Sequence, residues 1–342
     1  MSKKSKAACL AEYAALRAVC GLINAIPYPV ACFCARRLAA LAVACGFQRT
    51  RTLSRIEGCF PGIPRARARA IAVGSLANVF LNAVEMIRAP RLTKAWVTRH
   101  VKDIDLYAAR LRDVLAEGRG AVIMVPHCGN WYMAAWAMAQ YGIPLAAIAA
   151  RQRNPYVNAW MKRQYGSIDV VERGRASVMR DILDMLRAGR GFAILPDLRV
   201  PQPDVEVPFL NGTANVSHGG ALFAVATGAP IVVAIMRREH GLHVFDHLAT
   251  LRPDPAATDR RAEAQRLTRE VMEAPRRRHP PHARAMVLVQ QALDPPARKE
   301  AGAPTARTVN RRCGKDALPR TGDIRTRRSA SLPMMFFLKI HN

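Results

Sequence analysis

The stretch "GAVIMVPHCGNWYMAAWAMAQYGIPLAAIAA", residues 120–150, decides the fold. "GAVIMVP" (120–126) is a continuous apolar run closed by Pro126, the pattern of a strand buried on both faces. His127 then opens a predicted helix that reaches about Tyr141, and "PLAAIAA" (144–150) reads as a second strand. The alternation continues downstream. "NPYVNAWMKRQYG" is a helix ending at Gly166, "IDVVER" a strand, "ASVMRDILDMLRAG" a helix and "GFAILPD" (191–197) a strand. "GGALFAVATG" is a further helix, leading into the strand "APIVVAIMRRE" (229–239). Strands that alternate with helices predict an α/β domain with a largely parallel central sheet flanked by helices.

That pattern places His127 at the carboxyl edge of the sheet, where open α/β sheets bind ligands. A histidine at a strand-to-helix corner, with Gly129 and Asn130 just behind it, is a candidate catalytic base; the alternative is a structural imidazole. Cys128 offers a rival thiol nucleophile, but adjacent residues seldom face the same way.

With 342 residues, half of them hydrophobic, the chain can bury a sizeable core. Its 52 Lys plus Arg against 25 Asp plus Glu give a formal charge of +27, which favours anionic partners: nucleic acid, anionic lipid or an acidic carrier protein. The eight cysteines lack paired metal-ligand spacing and fit a reduced, cytosol-facing chain.

Residues 1–48 form a predicted membrane-associating helical segment. The uncharged run Ala18–Ala35 approaches a spanning length, yet Pro27 and Pro29 divide it. Two short apolar helices fit better than one span, with Lys3, Lys4 and Lys6 drawn to anionic lipid. An ordinary buried helix pair is the alternative. A linker follows, and then a helix from about Pro64 to Ile87 whose apolar positions Val73, Leu76, Phe80, Leu81, Val84 and Ile87 form one face. The catalytic domain is expected over 49–274.

"HCGNWYM" resembles the H-x-G-N-W-E signature of bacterial lipid A biosynthesis acyltransferases, a branch of the glycerolipid acyltransferase superfamily. "RNPYVNAWMKRQYG" (153–166), "GRASVMRDILDMLRAGRGFAILPD" (174–197) and "VEVPFLNGTANVSHGGALFAVATGAPIVV" (205–233) are similar to further blocks of that family, in its order. The resemblance covers about residues 10–275. It implies that His127 takes the proton from an acceptor hydroxyl, which attacks a thioester held by acyl carrier protein or acyl-CoA. In the family a carboxylate five residues later fixes the imidazole tautomer. Here that position is Tyr132, an uncharged phenol.

Three readings follow from Tyr132. The phenol orients His127 while a carboxylate from elsewhere, with Asp197 of "LPD" leading, supplies the charge; or Tyr132 suffices for a slower enzyme; or catalysis is lost and lipid binding remains. Arg151, Arg153 and Arg163 resemble the family's basic positions near substrate phosphates or the donor, and a solvated helix face is their alternative. Asn130 is expected either to meet the developing oxyanion or to cap the helix. Leu198 replaces the family's usual amide after Pro-Asp, and Gly219 and Gly220 read as turn and packing residues.

Together these expectations describe an enzyme of the inner, cytoplasmic membrane with its catalytic domain on the cytoplasmic side. It would acylate a lipid A precursor or related glycolipid and need no metal or redox cofactor. The rivals are another phospholipid or mannolipid acceptor, a non-catalytic lipid-binding relative, and a nucleic-acid binder. The last rests on residues 275–342, where 15 Lys plus Arg against 4 Asp plus Glu suggest a basic, disordered tail. No nucleic-acid partner is expected, because that tail also reads as a frameshift product. Met286-Val287 in the next reading frame must yield Trp, and synonymous codons extend it into an aromatic ending that resembles the family's own.

Overall fold

The computed structural model describes residues 5–47, 49–197, 204–209 and 211–278. Leu198 and residues 279–342, most of the segment assigned to a basic tail, lie outside the described residues. The chain runs α1 (Lys6–Ala25), α2 (Tyr28–Ala44), α3 (Arg49–Cys59), α4 (Arg65–Arg88), α5 (Lys94–His100), β1 (Val101–Lys102) and α6 (Ile104–Leu115). It continues β2 (Ala121–Met124), α7 (Trp131–Gln140), β3 (Leu145–Ala150), α8 (Pro155–Gln164), β4 (Asp169–Arg173), α9 (Val178–Arg187) and β5 (Gly191–Ile194). It closes with β6 (Val205–Phe209), β7 (Gly212–Val216), α10 (Gly219–Thr227), β8 (Ile231–Glu239), β9 (Leu242–Leu251) and α11 (Arg260–Arg278).

Seven strands form the main sheet in the order β1-β9-β8-β2-β5-β3-β4, parallel throughout except for the antiparallel β8–β9 pair. The expected α/β fold with a largely parallel sheet is therefore present. β9 has no counterpart in the sequence reading. It folds back from β8 through His240 and Gly241, both at positive φ (47° and 83°), as a two-residue hairpin turn requires.

Central strand β2 shows why the sheet forms. All four of its residues are buried, and side chains alternate between faces. Ala121 and Ile123 join a cluster with α5, α6 and α7, while Val122 and Met124 join one with α9, α10 and α11. Helices thus cover both faces, and short apolar strands need no polar side.

The N-terminal segment folds as two helices broken at Ile26-Pro27, because Pro27 lacks the N–H that would continue α1. Ala31, Cys32, Ala35, Ala39 and Val43 of α2 pack on Leu76, Phe80, Leu81 and Val84 of α4. Leu16 and Cys20 of α1 pack with Val157, Trp160 and Met161 of α8. The opposite faces leave Leu10, Leu22, Val30, Phe33, Leu38 and Leu41 exposed. Among the described residues two helices, Lys6–Ala25 and the one opening at Arg65, are long and apolar enough to cross a membrane, but the second is mostly buried within the protein.

Candidate active site

The β2–β5 register builds the site. Met124 pairs with Ile194, a separation of 70 residues, and three residues past each strand end stand His127 and Asp197, separated by the same 70. Two parallel strands that stay in register therefore deliver the two side chains side by side at the carboxyl edge. Asp197 Oδ1 lies 2.9 Å from His127 Nδ1, and Asp197 Oδ2 accepts the His127 backbone N–H at 2.9 Å. One carboxylate thereby fixes both ring and backbone. Burial would raise the Asp197 carboxyl, but the His127 ring and the hydrogen bonds outweigh it and hold the group below the usual carboxylate range. An ionised Asp197 on Nδ1 places the ring proton there, which leaves Nε2 as the basic nitrogen.

His127 is only 3% exposed. It nevertheless lines a cavity of about 1310 Å³, larger than the roughly 300–1,000 Å³ of ordinary ligand pockets. Apolar side chains including Ile123, Val125, Ala134, Met138, Ala147 and Ile148 dominate its wall. Trp131 stands edge-on to the imidazole at 4.7 Å between ring centroids and also lines the cavity. Gly220 forms part of the floor, where an added Cβ would come within 2.9 Å of Met124. Gly219 and Gly220 open α10 rather than a turn, and Gly220 is a packing residue there.

Other expectations need correction. The helix after His127 begins only at Trp131, because Asn130, with a non-helical backbone, is its N-cap. Tyr132 does not orient the imidazole. It is the second residue of α7, and its hydroxyl donates to the Gln164 carbonyl of α8. Burial pushes its phenol above the ordinary range, so it stays protonated. Tyr132 lines the cavity as an apolar wall whose polar end is occupied.

Asn130 is completely buried, accepts the Met133 N–H through Oδ1 at 2.9 Å and donates through Nδ2 to Glu85. It caps α7 and ties the turn to α4, which engages the amide on both sides. Arg151 and Arg153 are exposed and do not line the cavity, and Arg163 extends to the Tyr13 hydroxyl of α1 at 3.4 Å. The arginines that do line it among the described residues are Arg55, Arg110 and Arg173. The thiol of Cys128 is pushed up to about 12, by burial first and then by the charges of Asp197 and Asp246, so it is held as an inert thiol.

Glu85 of α4 has no place in the sequence reading. It is 1% exposed and meets Arg238 at 2.7 Å, His243 at 3.3 Å and the Tyr28 hydroxyl at 2.9 Å. Burial would raise its carboxyl, but Arg238 and then His243 overcome that and hold it well below the carboxylate range. A lone carboxylate at helical spacing within the apolar run of α4 was the available signal.

Residues 1–278 match the family described as bacterial lipid A biosynthesis acyltransferase. A phosphatidylinositol mannoside acyltransferase of Mycolicibacterium smegmatis is 27% identical over 219 residues, covering 61% of this chain and 70% of that protein. Proteins of the same name in two strains of Mycobacterium tuberculosis are each 26% identical over 152 residues, covering 43% of this chain and 48% of theirs.

Proposed function

We propose that this chain, which belongs to the bacterial lipid A biosynthesis acyltransferase family, transfers a fatty acyl group from a thioester donor to a glycolipid hydroxyl, with His127 as general base. The chain is an acyltransferase. The observation that carries the base assignment is the two-point grip of Asp197 on His127 at the wall of a large apolar cavity.

In this reading the acyl chain lies along Ile123, Val125, Ala134 and Met138. The acceptor hydroxyl approaches His127 Nε2, which removes its proton as the oxygen bonds to the thioester carbonyl carbon. The C–S bond then breaks, and the imidazolium returns the proton to the leaving thiolate. Asp197 stabilises the imidazolium in between and supplies the charge that Tyr132 lacks. Acyl carrier protein is the favoured donor, since an acidic carrier suits a chain that is basic even without residues 275–342, with 37 Lys plus Arg against 21 Asp plus Glu; acyl-CoA is the alternative.

Two acceptors have support. The family's description favours a lipid A precursor, and the relatives' names favour a mannosylated phosphoinositide. The exposed apolar faces of α1 and α2 would rest on the bilayer and bring either lipid to the cavity. In the same reading the protein works at the inner membrane, with its catalytic domain on the cytoplasmic side. The unit boundaries expected near residues 48 and 274 belong to the same proposal. The test offers labelled acyl carrier protein and acyl-CoA to the protein with each acceptor in mixed micelles, and identifies the product by mass spectrometry. A singly acylated glycolipid is expected, and the acceptor it derives from decides between the two readings. Thioester hydrolysis or no product with either acceptor would refute the proposal.

A further inference from the structure

The turn that carries His127 is gripped at Gly129 and Asn130 by a second polar system. Asn78, Asn82 and Glu85 lie at i, i+4 and i+7 on α4 and so share one face. Asn78 Nδ2 and Asn82 Nδ2 both donate to the Gly129 carbonyl oxygen, each at 2.8 Å. An amide can offer its NH₂ there only if its oxygen points the other way, and Arg238 of β8 fixes that choice. Its guanidinium donates to Asn78 Oδ1 and, through Nη2 at 2.6 Å, to Asn82 Oδ1. Glu85 in turn holds Arg238 at 2.7 Å from Nη2 and accepts from Asn130 Nδ2.

Gly129 has little room to respond. Its φ is +61°, and an added Cβ would lie 1.7 Å from the Met236 carbonyl oxygen. The next residue, Asn130, donates its backbone N–H to that same oxygen at 2.9 Å. Met236 and Arg238 are two residues apart on β8, so one strand supplies both the backbone contact and the guanidinium.

We propose that Arg238, oriented by Glu85 and acting through Asn78 and Asn82, is a positioning residue that sets the His127 turn and with it the approach of the imidazole to substrate. The proposal rests on His127 being the base, but its geometry is independent of which lipid is acylated. Displacement of a catalytic group by about 1 Å can cost on the order of 100-fold in rate. Loss of this grip therefore shows in kcat and leaves KM nearly unchanged.

Arg238→Lys is the informative variant. Lysine keeps a positive charge against buried Glu85, so the fold survives, but a point charge cannot serve both amide oxygens and the carboxylate as the guanidinium fork does. Three readouts decide the matter: kcat and KM for acyl transfer, the melting temperature, and the NMR signal of the His127 Nδ1 proton bonded to Asp197. The expected result is a fall in kcat of about 100-fold with KM within about twofold, and a broadened or lost Nδ1–H signal. Asn78→Ala, at a half-buried site, removes one of the two donors to Gly129 and repeats the same test should the lysine variant unfold.

Wild-type kcat in a folded variant would overturn the proposal, and so would reduced kcat with an unaltered Nδ1–H signal. His127→Ala, run alongside, separates the two layers of argument. Full turnover without the imidazole would end the base assignment, while the proton signal would still decide whether Arg238 sets the turn.

Discussion

Asp197→Asn isolates the dyad because it preserves shape and changes one hydrogen-bonding group. Both His127 contacts of the carboxylate need an acceptor: the backbone N–H at Oδ2 and Nδ1 at Oδ1, each at 2.9 Å. Asparagine has one oxygen. If that oxygen keeps the backbone N–H, the NH₂ faces Nδ1, and the ring must accept there and carry its proton on Nε2. A protonated Nε2 cannot remove the acceptor proton. The equivalent exchange in a serine protease triad costs about 10⁴-fold, which corresponds to about 5 kcal/mol of barrier. We expect a loss of about 10³- to 10⁴-fold in kcat, with the fold intact because a carboxylate is exchanged for a neutral amide of the same shape that still hydrogen-bonds His127. The assay is single-turnover acyl transfer beside a melting curve. Turnover within about tenfold of wild type in a folded variant would show that Asp197 does not set the tautomer.

Three further outcomes follow from the geometry. Tyr132→Phe should lower stability by about 1 kcal/mol through loss of the bond to Gln164 and leave kcat nearly unchanged, whereas Tyr132→Glu should destabilise by burying an unpaired carboxylate; a rise in turnover with Glu would restore Tyr132 to the dyad. Gly129→Ala should cost about 3 kcal/mol or more, since left-handed strain adds to the clash with Met236, and a melting temperature equal to wild type would contradict the described turn. The carboxyls of Asp197 and Glu85 both titrate below their ordinary values in the fold. Their contribution to stability is full above the unfolded carboxyl value of about 4 and is lost as pH falls through the lower folded values. The melting temperature should therefore drop on acidification below about pH 4, and a flat profile there would refute the ionised pairs.

The sequence made the sheet legible because β2, β3, β5 and β8 are short apolar runs each preceded by a helix, the pattern of a covered parallel sheet. It made Asp197 legible because "LPD" ends a strand as "VPH" does, and the shared register turns that likeness into contact. Tyr132 was misplaced for a geometric reason. Counting five residues from His127 assumed a helix starting there, but the turn extends to Asn130 and aims position 132 at α8. Arg151, Arg153 and Arg163 have the composition of an anion site, yet side-chain direction off β3 and α8 is set by tertiary packing that spacing does not encode. The Glu85 system joins residues up to 160 positions apart, as in the bond from Arg238 to Asn78, and no local pattern reports such a distance.

The central claim is that the imidazole of His127 does the chemistry of acyl transfer. The most direct measurement is the single-turnover rate of labelled acyl transfer to a glycolipid acceptor by wild type and by His127→Ala, each first shown to be folded and to bind the donor. The account predicts donor binding in both and turnover in the wild type alone; equal turnover by the two proteins would contradict it.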